Sequence, residues 1–463
     1  MPTYSAVVTT GIYCRPGCGG RPLAKNVRSY DLAAAAEAAG FRACLRCRPY
    51  RVAESIPDGS PELVCRAVQL ILAGALDGKN EAHLGARLGV SSRHLRRLFM
   101  SHLGVTPDEL ARSRRAHFAR RLLDDTDLTI TEIAFASGFG SLRQFNRMCR
   151  EVFHATPGEL RARRRVSDRL VADGGLRLRL PYEGPLDWDV MLQYFAARTI
   201  PGVEHVEGDT YRRTIVIDGD PGCLELSPGE DGCLILRAHL PHWEGLIHVV
   251  DRARRIANLD SDLAEARRHL GADPVLGPLV AARPGVRAAG TWDAFEIGVR
   301  AIVGQQVTLA GASTLIGRLV ERLGTPVPGL RQLGLTHVFP SAATVASADL
   351  DGLGLTRARA GAIRAFAAAV ATDEIRLDGS VGLDQLVTSI TALPGLGSWT
   401  AQYIALRLGE PDAFPAADLG LRRAMTSRGT GPTPDVTDRW RPWRAVAFVH
   451  LCASGAQLEA CSA

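Results

Sequence analysis

The chain has 463 residues, of which 46% are hydrophobic and 22% charged, and its formal net charge is +6. This length corresponds to about three ordinary domains, and the apolar content excludes a mainly disordered chain. No window approaches the ~18 uninterrupted apolar residues of a membrane span, and the N-terminus lacks the basic start and apolar run of a secretory signal. We therefore predict a soluble cytoplasmic protein, whose modest positive charge is compatible with a polyanionic partner.

Composition and hydrophobic periodicity divide the chain into four predicted domains of a multidomain α+β protein. The predicted ranges are 1–56 for a small metal-binding domain, 61–166 for an arginine-rich all-helical domain, 170–285 for a β-rich domain and 286–463 for a second all-helical domain. A stretch rich in turn residues, 56–61, is predicted to link the first two domains.

Four of the ten cysteines lie near the start of the chain: Cys14, Cys18, Cys44 and Cys47. Each pair is close in sequence, and two such pairs of thiolates can surround Zn²⁺ tetrahedrally. In a reducing compartment this clustering favours metal binding over disulfides. The alternative is four unrelated buried cysteines.

The residues around these cysteines resemble the metal-binding domain of the Ada family of methylation-response regulators. The similarity covers residues 10–18 (TGIYCRPGC) and 39–49 (AGFRACLRCRP). It implies that all four cysteines bind zinc, that Cys14 irreversibly accepts a methyl group from a methylphosphotriester in DNA, and that Arg21 lies close to the DNA backbone. The alternative is a purely structural zinc. Thirteen residues precede Cys14, so we expect a domain that is short at its N-terminus.

The arginine-rich domain contains an internal repeat, in which residues 84–92 (LGARLGVSS) are echoed by residues 133–141 (IAFASGFGS). Each copy predicts two short helices joined at a glycine, a helix-turn-helix unit, with the second helix beginning near Ser91 or Ser141. The pair resembles the AraC-type DNA-binding domain, which places these second helices in successive major grooves. The residues expected to face DNA are Arg93, Arg96, Arg97, Arg143, Gln144 and Arg147. The alternative is a helix bundle with solvated arginines.

A glycine hairpin marks the C-terminal domain, where residues 393–403 read LPGLGSWTAQY. Gly395 and Gly397 allow a tight turn between helices, and backbone N–H groups at the start of the following helix can hold a phosphate. Alone this motif is weak evidence, but residues 414–421 (FPAADLGL) follow at the expected distance. Together they resemble the helix-hairpin-helix DNA glycosylase superfamily, and within it the AlkA-like 3-methyladenine glycosylases, from about residue 170 to the end. Residues 170–285 then correspond to the β-rich AlkA N-terminal domain, to which we assign no chemistry.

The resemblance implies that Asp418 is the essential carboxylate and that Trp399 and Tyr403 form the pocket for an extruded base. Cleaving an N-glycosidic bond builds positive charge on the sugar, which a buried, ionised aspartate can stabilise. An electron-poor alkylated base can stack on the aromatic rings. The alternatives are two ordinary core aromatics and an aspartate that only caps a helix.

A second segment of the same resemblance, residues 301–308 (AIVGQQVT), matches the loop that enters DNA at the lesion, so Gln305 and Gln306 are expected to contact DNA. Bifunctional glycosylase/lyases carry a Schiff-base lysine at the position of Trp399, so a monofunctional hydrolase is expected. The cysteine loop of iron–sulfur relatives is absent after Asp418, so no such cluster is expected.

These features predict a protein of the response to DNA alkylation. A sensor and DNA-reading half would be fused to a glycosylase that removes alkylated purines of the 3-methyladenine type. The expected partners are damaged and promoter double-stranded DNA and RNA polymerase, and the expected state is a cytoplasmic, nucleoid-associated monomer. The alternative is a DNA-binding transcription regulator whose glycosylase-like half is catalytically inactive.

Overall fold

The computed structural model describes residues 4–20, 22–51, 60–164, 175–230, 232–261 and 263–454. The chain divides into two compact units, one formed by Met1–Glu183 with His242–Arg252 and the other by Gly184–Pro241 with Ala253–Ala463. Among the described residues, no helix combines the length and apolar character needed to cross a membrane.

The first unit begins with a small sheet. Its strands and the helix that follows them are β1 (Tyr4–Val7), β2 (Ile12–Cys14), β3 (Val27–Tyr30), α1 (Ala33–Ala38) and β4 (Arg42–Ala43). The strand order is β3-β1-β2-β4, in which β1 pairs antiparallel with both neighbours and β2 pairs parallel with β4. The parallel register sets Tyr13 opposite Ala43, and the Cys44 N–H donates to the Tyr13 carbonyl at 2.9 Å. Two cysteine-bearing segments that are far apart in sequence therefore leave the sheet side by side.

The rest of this unit is mainly helical. Its elements are α2 (Glu62–Leu72), α3 (Glu81–Arg87), α4 (Ser92–His102), α5 (Pro107–Asp125), α6 (Ile130–Ala136), α7 (Leu142–Phe153), α8 (Pro157–Ala162) and the strand β5 (Leu176–Pro181). The pairs α3–α4 and α6–α7 are the two predicted helix-turn-helix units, and Gly89 and Gly138 adopt positive φ at their turns. The side chains of Ser91 and Ser141 cap α4 and α7, so the second helix of each unit begins where the sequence predicts.

One hydrophobic core joins the small sheet region to the helices. Leu32, Ala34 and Ala35, at and next to α1, belong to the same buried cluster as residues of α2, α3, α4 and α5 such as Leu95 and Phe99. Because they share a core, these parts of the first unit are expected to fold together.

The second unit contains four antiparallel strands in the order β6-β7-β8-β9. Its first elements are α9 (Trp188–Ala196), β6 (Glu204–Glu207), β7 (Thr210–Ile217), β8 (Asp220–Pro228) and β9 (Cys233–His239). Asp218 and Gly219, both at positive φ, connect β7 to β8 as the two-residue Asp-Gly turn that right-twisted hairpins favour.

The helix α10 (Leu246–Ile256) follows these strands. Residues 242–252 lie inside the predicted β-rich domain but belong to the first unit by their contacts. There Asp251 forms an ion pair with Arg114, and His248 bonds to Asp77.

The C-terminal part of the second unit is helical, as predicted, with one additional two-stranded pair. Its elements are α11 (Ala264–Gly271), α12 (Gly277–Ala282), α13 (Ala294–Val303), α14 (Leu309–Leu323), β10 (Thr325–Pro326), β11 (His337–Val338), α15 (Ala342–Ser347), α16 (Arg357–Ala371), α17 (Leu383–Thr391), α18 (Ser398–Leu408), α19 (Leu419–Thr426), α20 (Pro434–Thr437) and α21 (Arg444–Ser454). The core runs along α13, α16 and α18, where Phe366, Ile302 and Ile404 are fully buried.

Candidate functional site

The four predicted metal ligands meet at one end of the small sheet. Cys14 is the last residue of β2 and Cys44 follows β4, while Cys18 and Cys47 lie in the turns after them. Their sulfur atoms all lie within 4.8 Å of one another, and all four residues are half-buried. A zinc tetrathiolate with bonds of ~2.3 Å has sulfur–sulfur distances of about 3.8 Å, so the arrangement fits that ion.

The electrostatics of this cluster also favour a bound cation. Burial, together with repulsion from Cys47 and Cys44, raises the pKa of the Cys14 thiol well above its ordinary value. Burial likewise raises the pKa of Cys47 to about 12. The thiols of Cys14 and Cys47 thus resist ionisation, whereas a divalent cation among the four sulfur atoms stabilises the thiolates. Arg21, predicted to lie near DNA, falls outside the described residues.

The predicted DNA-reading side chains lie on the exposed faces of α4 and α7. All six of them are exposed: Arg93, Arg96, Arg97, Arg143, Gln144 and Arg147. On the opposite faces of these two helices, Leu95 of α4 and Phe145 of α7 are buried. One of these arginines has a partner within the protein, since Arg96 donates to Glu81 at 3.0 Å.

A cavity of about 480 Å³, including the solvent at its mouth, opens in the second unit. Elements from α9 to α18 line it: Tyr194, Arg198, Ile297, Arg300, Ala301, Gly304, Leu309, Ala312, Ser313, Ile316, Trp399 and Tyr403. The rings of Trp399 and Tyr403 stack at 5.4 Å with an interplanar angle of 20°. Tyr403 is 5% exposed and supports the half-buried Trp399.

Asp418 is buried beside this cavity, with 1% of its surface exposed. Its Oδ1 accepts from the Leu421 N–H at 2.9 Å and so caps α19, while its Oδ2 accepts from the Trp399 indole N–H at 3.2 Å. Burial raises the pKa of Asp418 above its ordinary value, although these hydrogen bonds oppose the rise. The residue therefore caps a helix and also contacts the wall of the cavity through the indole.

Two cavity residues come from the region to which the sequence assigned no chemistry. The Tyr194 hydroxyl lies 3.1 Å from that of Tyr403, and the guanidinium groups of Arg198 and Arg407 each lie 4.3 Å from the Tyr194 ring centre. No sequence motif marks these two residues: Tyr194 lies on α9, and Arg198 lies two residues after that helix ends. Only the folded chain brings them to Trp399.

The loop between α13 and α14 separates the two predicted DNA-contacting glutamines. The Gln305 side chain turns inward and donates to Thr400 Oγ1 at 2.9 Å and to the Gly395 carbonyl at 3.3 Å, so it ties the loop to the glycine hairpin. Gln306 is exposed at the loop tip with a φ of 57°. A non-glycine residue at positive φ is strained, and such strain is often found at functional loops.

The glycine hairpin has the geometry that the sequence predicts. Gly395 adopts a φ of 81°, a conformation that favours glycine, and Gly397 is the N-cap of α18. Both glycines are exposed, and an added Cβ at Gly397 would meet open space. Backbone N–H groups at the start of α18 are therefore accessible to an anion.

A buried cluster of four charged side chains adjoins the cavity, since one of its members, Arg300, lines that cavity. Arg213 and Arg300 pair with Glu204 and Glu296, at distances that include 2.6 Å from Arg213 to Glu296 and 2.5 Å from Arg300 to Glu204. Despite burial, the two guanidinium groups lower the pKa of Glu296 to about 2. Arg300 also donates to the Arg198 carbonyl at 2.8 Å, which fixes the backbone that carries this cavity residue.

Family profiles match the chain in four successive segments. They are the metal binding domain of Ada over residues 3–50, a helix-turn-helix domain over 84–163, the AlkA N-terminal domain over 177–293 and the HhH-GPD superfamily base excision DNA repair protein over 299–438. The fold and the two sites thus define a DNA-binding protein that combines a zinc-binding regulator with a helix-hairpin-helix repair enzyme.

The relatives agree with this class. The probable bifunctional transcriptional activator/DNA repair enzyme AlkA of Mycobacterium tuberculosis is 41% identical, and the match covers 96% of this chain and 91% of the relative. DNA-3-methyladenine glycosylase 2 of Escherichia coli is 31% identical, over 59% of this chain and 95% of the relative. The chain belongs to the family of bifunctional transcriptional activator/DNA repair enzymes of the AlkA type, and its cysteine quartet binds zinc.

A solved structure shares the fold of the second half. The 3-methyladenine DNA-glycosylase from Archaeoglobus fulgidus aligns with a TM-score of 0.51 and 24% identity, covering 60% of this chain and 97% of its own.

Proposed function

We propose that the second unit hydrolyses the N-glycosidic bond of alkylated purines of the 3-methyladenine type in duplex DNA. The observation that carries this proposal is the 1% exposed carboxylate of Asp418, bonded to the indole of a residue that lines a cavity. A base must leave the stack to reach such a cavity.

In the proposed reaction, Asp418 faces the sugar, on which positive charge develops as the bond breaks. Its two oxygens are fixed by the Leu421 N–H and the Trp399 indole, so the carboxylate needs no reorientation as the bond breaks. The purine departs with the electron pair of the C1′–N bond, a water molecule bonds to C1′ of the sugar, and the proton that this water loses passes to solvent. Because an alkylated purine is already a good leaving group, no strong general acid is required.

The aromatic wall supports the proposed preference for alkylated bases. Trp399 is half-buried, and Tyr403 stacks beneath it, so the indole can receive a flat extruded base. Electron-poor or cationic bases are attracted to a π-face more strongly than normal ones. The exposed Gln306 and the N–H groups near Gly397 are the proposed contacts to the DNA strand.

The test is the release of free base from methylated duplex DNA. The proposal expects 3-methyladenine in the supernatant and an abasic site without strand cleavage, because Trp399 offers no amine for a Schiff base. The absence of any released base would favour the alternative, a transcription regulator with an inactive glycosylase-like half.

For the first unit we propose methylphosphotriester sensing by Cys14. A zinc-bound thiolate stays deprotonated and nucleophilic at neutral pH. The Cys14 sulfur would bond to the methyl carbon as the carbon–oxygen bond breaks, which leaves a phosphodiester anion. Mass spectrometry after exposure to methylphosphotriester DNA should find one added methyl group on the Cys14 peptide. An unmodified peptide would support a purely structural zinc.

We further propose that α4 and α7 read promoter DNA through their exposed arginines and Gln144, and that RNA polymerase is the partner there. The proposed form is a cytoplasmic, nucleoid-associated monomer with domains over 1–56, 61–166, 170–285 and 286–463. A footprint on alkylation-response promoters, lost when Arg93 and Arg143 are replaced by alanine, tests the DNA-reading role.

A further inference from the structure

Two tyrosines lie next to the cysteine quartet in sequence and are almost fully buried. Tyr13 immediately precedes Cys14, and Tyr50 follows Cys47 by three residues. Their exposed fractions are 0% and 2%. Each cysteine pair therefore has a buried phenol on its own segment, and the hydroxyl of each phenol must find a partner.

The Tyr13 hydroxyl reaches a cluster that includes the long helix α5. It donates to Glu37 Oε1 on α1 at 2.7 Å and lies 3.2 Å from His117 Nε2 on α5. His117 Nε2 in turn lies 2.6 Å from Glu37 Oε1. The strand that ends in Cys14 is thus bonded to α5 through side chains that are largely shielded from water.

The Tyr50 hydroxyl reaches the same helix two turns further on. It donates to Asp124 Oδ2 at 3.1 Å, and Asp124 Oδ1 accepts from Arg120 at 2.5 Å. The Arg120 guanidinium lies 5.3 Å from the Tyr50 ring centre. Since His117, Arg120 and Asp124 are spaced by three and four residues, they share one face of α5.

The helix α5 also connects the two helix-turn-helix units. It packs against α4 of the first helix-turn-helix and against α6 and α7 of the second helix-turn-helix. Both cysteine segments are therefore anchored to the one helix that positions both DNA-reading helices. Any ligand that orders the cysteine segments must stabilise α5 as well, because binding to the folded form alone shifts the folding equilibrium.

We propose that Tyr13 and Tyr50 are positioning residues that couple metal occupancy of the quartet to the stability of α5, and thereby to the DNA-reading helices. The inference rests on the zinc-binding regulator function proposed for this unit. It assigns the zinc a second role, which is to hold the helix-turn-helix pair in its DNA-binding arrangement.

The test is amide hydrogen exchange on the full chain, with zinc bound and after chelation, read by mass spectrometry for peptides of Pro107–Asp125. In the wild type, chelation should speed exchange in α5 on the order of tenfold or more. Tyr13→Phe and Tyr50→Phe each remove one hydroxyl and keep the ring. Each should shrink the effect of chelation about fivefold, the change expected from one net hydrogen bond, and together they should nearly abolish it.

Tyr30→Phe is the matched control. Tyr30 lies on β3 in the same region, where its ring packs 5.9 Å from that of Phe41, and this variant should respond to chelation like the wild type. Peptides of Ser398–Leu408 in the second unit report any global change. If the double variant does not fold, the two single variants still decide the question.

An equal response of α5 to chelation in the wild type and the tyrosine variants would overturn the proposal, as would no response in the wild type. Metal analysis of the same samples separates these results from a failure of zinc binding itself. Base release and methyl transfer, measured in parallel, report independently on the proposed functions.

Discussion

The two chemical sites of this protein are built in opposite ways. The cysteine quartet takes its ligands from residues 14–47, and all four cysteines are half-buried. The aromatic cavity gathers side chains from Tyr194 to Tyr403, and its carboxylate, Asp418, is 1% exposed. The first is a local, accessible site, and the second depends on many distant elements.

The difference follows from how each site handles negative charge. In the quartet a bound cation balances the thiolates, so the site does not require a dry interior. In the proposed reaction at the cavity, the negative charge of Asp418 must remain available for a positive charge that appears only as the glycosidic bond breaks. That carboxylate gains from exclusion of water, since electrostatic interactions are stronger in a medium of low polarity.

The largest expected effect is a loss of zinc from the cysteine quartet that leaves base release at the cavity intact. Cys44→Ser should reduce bound zinc from about one ion per chain to a trace, because a serine hydroxyl is a poor substitute for a thiolate ligand. Base release should remain within about twofold of the wild type, since the cavity draws only on the second unit. Metal analysis and a base-release assay measure both, with Cys65→Ser as the control. A parallel loss of base release would refute the independence of the sites.

Asp418→Asn should slow base release about 100- to 1,000-fold, the range found when one preorganised electrostatic contact is removed. Asparagine is as good an N-cap as aspartate, so α19 should keep its start and the charge alone is tested. Single-turnover release from methylated DNA is the measurement. Asp435→Asn, an exposed residue in the first turn of α20, should release base at the wild-type rate.

Arg213→Met should destabilise the second unit by ~3 kcal/mol, because it leaves Glu204 and Glu296 buried with one arginine instead of two. Urea unfolding, monitored by tryptophan fluorescence, measures the stability of this unit, because five of the six tryptophans lie in it. Arg212→Met changes the next residue of the same strand, whose partners are more exposed, and should cost at most ~1 kcal/mol. Zinc content should be unchanged in both variants. An equal loss of stability in Arg213→Met and Arg212→Met would contradict a stabilising role of the buried charge cluster.

On acidification, base release should be lost at a higher pH than the ordinary pKa of an exposed aspartate would give, because burial raises the pKa of Asp418. Since this folded-state pKa lies above the unfolded value, ionised Asp418 destabilises the native state at neutral pH. That cost disappears as the pH falls through the folded-state pKa towards the unfolded value. Asp418→Asn should therefore be at least as stable as the wild type at neutral pH. A pH profile of base release and urea unfolding at several pH values test both statements.

The smallest effect concerns the strained loop tip. Gln306→Gly should raise the stability of the second unit by up to ~1 kcal/mol, because glycine accepts a positive φ without strain. Base release should slow a few-fold, since the proposed DNA contact is removed. Gln385→Gly, within α17, should instead lower stability by ~1 kcal/mol. A Gln306→Gly protein that is less stable than the wild type would show that the loop is not strained.

Much of the fold was predictable because its signals are local. The Ser91 and Ser141 caps, the glycines at the helix-turn-helix turns and the Gly395 hairpin each depend on neighbouring residues. The sequence alone could not separate Gln305 from Gln306. Adjacent and identical side chains point inward and outward there, and only the backbone turn at Gln306 distinguishes them.

The sequence by itself determined the cysteine quartet, the paired helix-turn-helix units and the Trp399–Asp418 motif, since each is encoded by spacing within a short stretch. Only the tertiary structure decided that Tyr194 and Arg198 complete the cavity, that four buried charges adjoin it and that Tyr13 and Tyr50 reach α5. These contacts join elements far apart in the chain, and the burial that makes them strong exists only once the cores have formed.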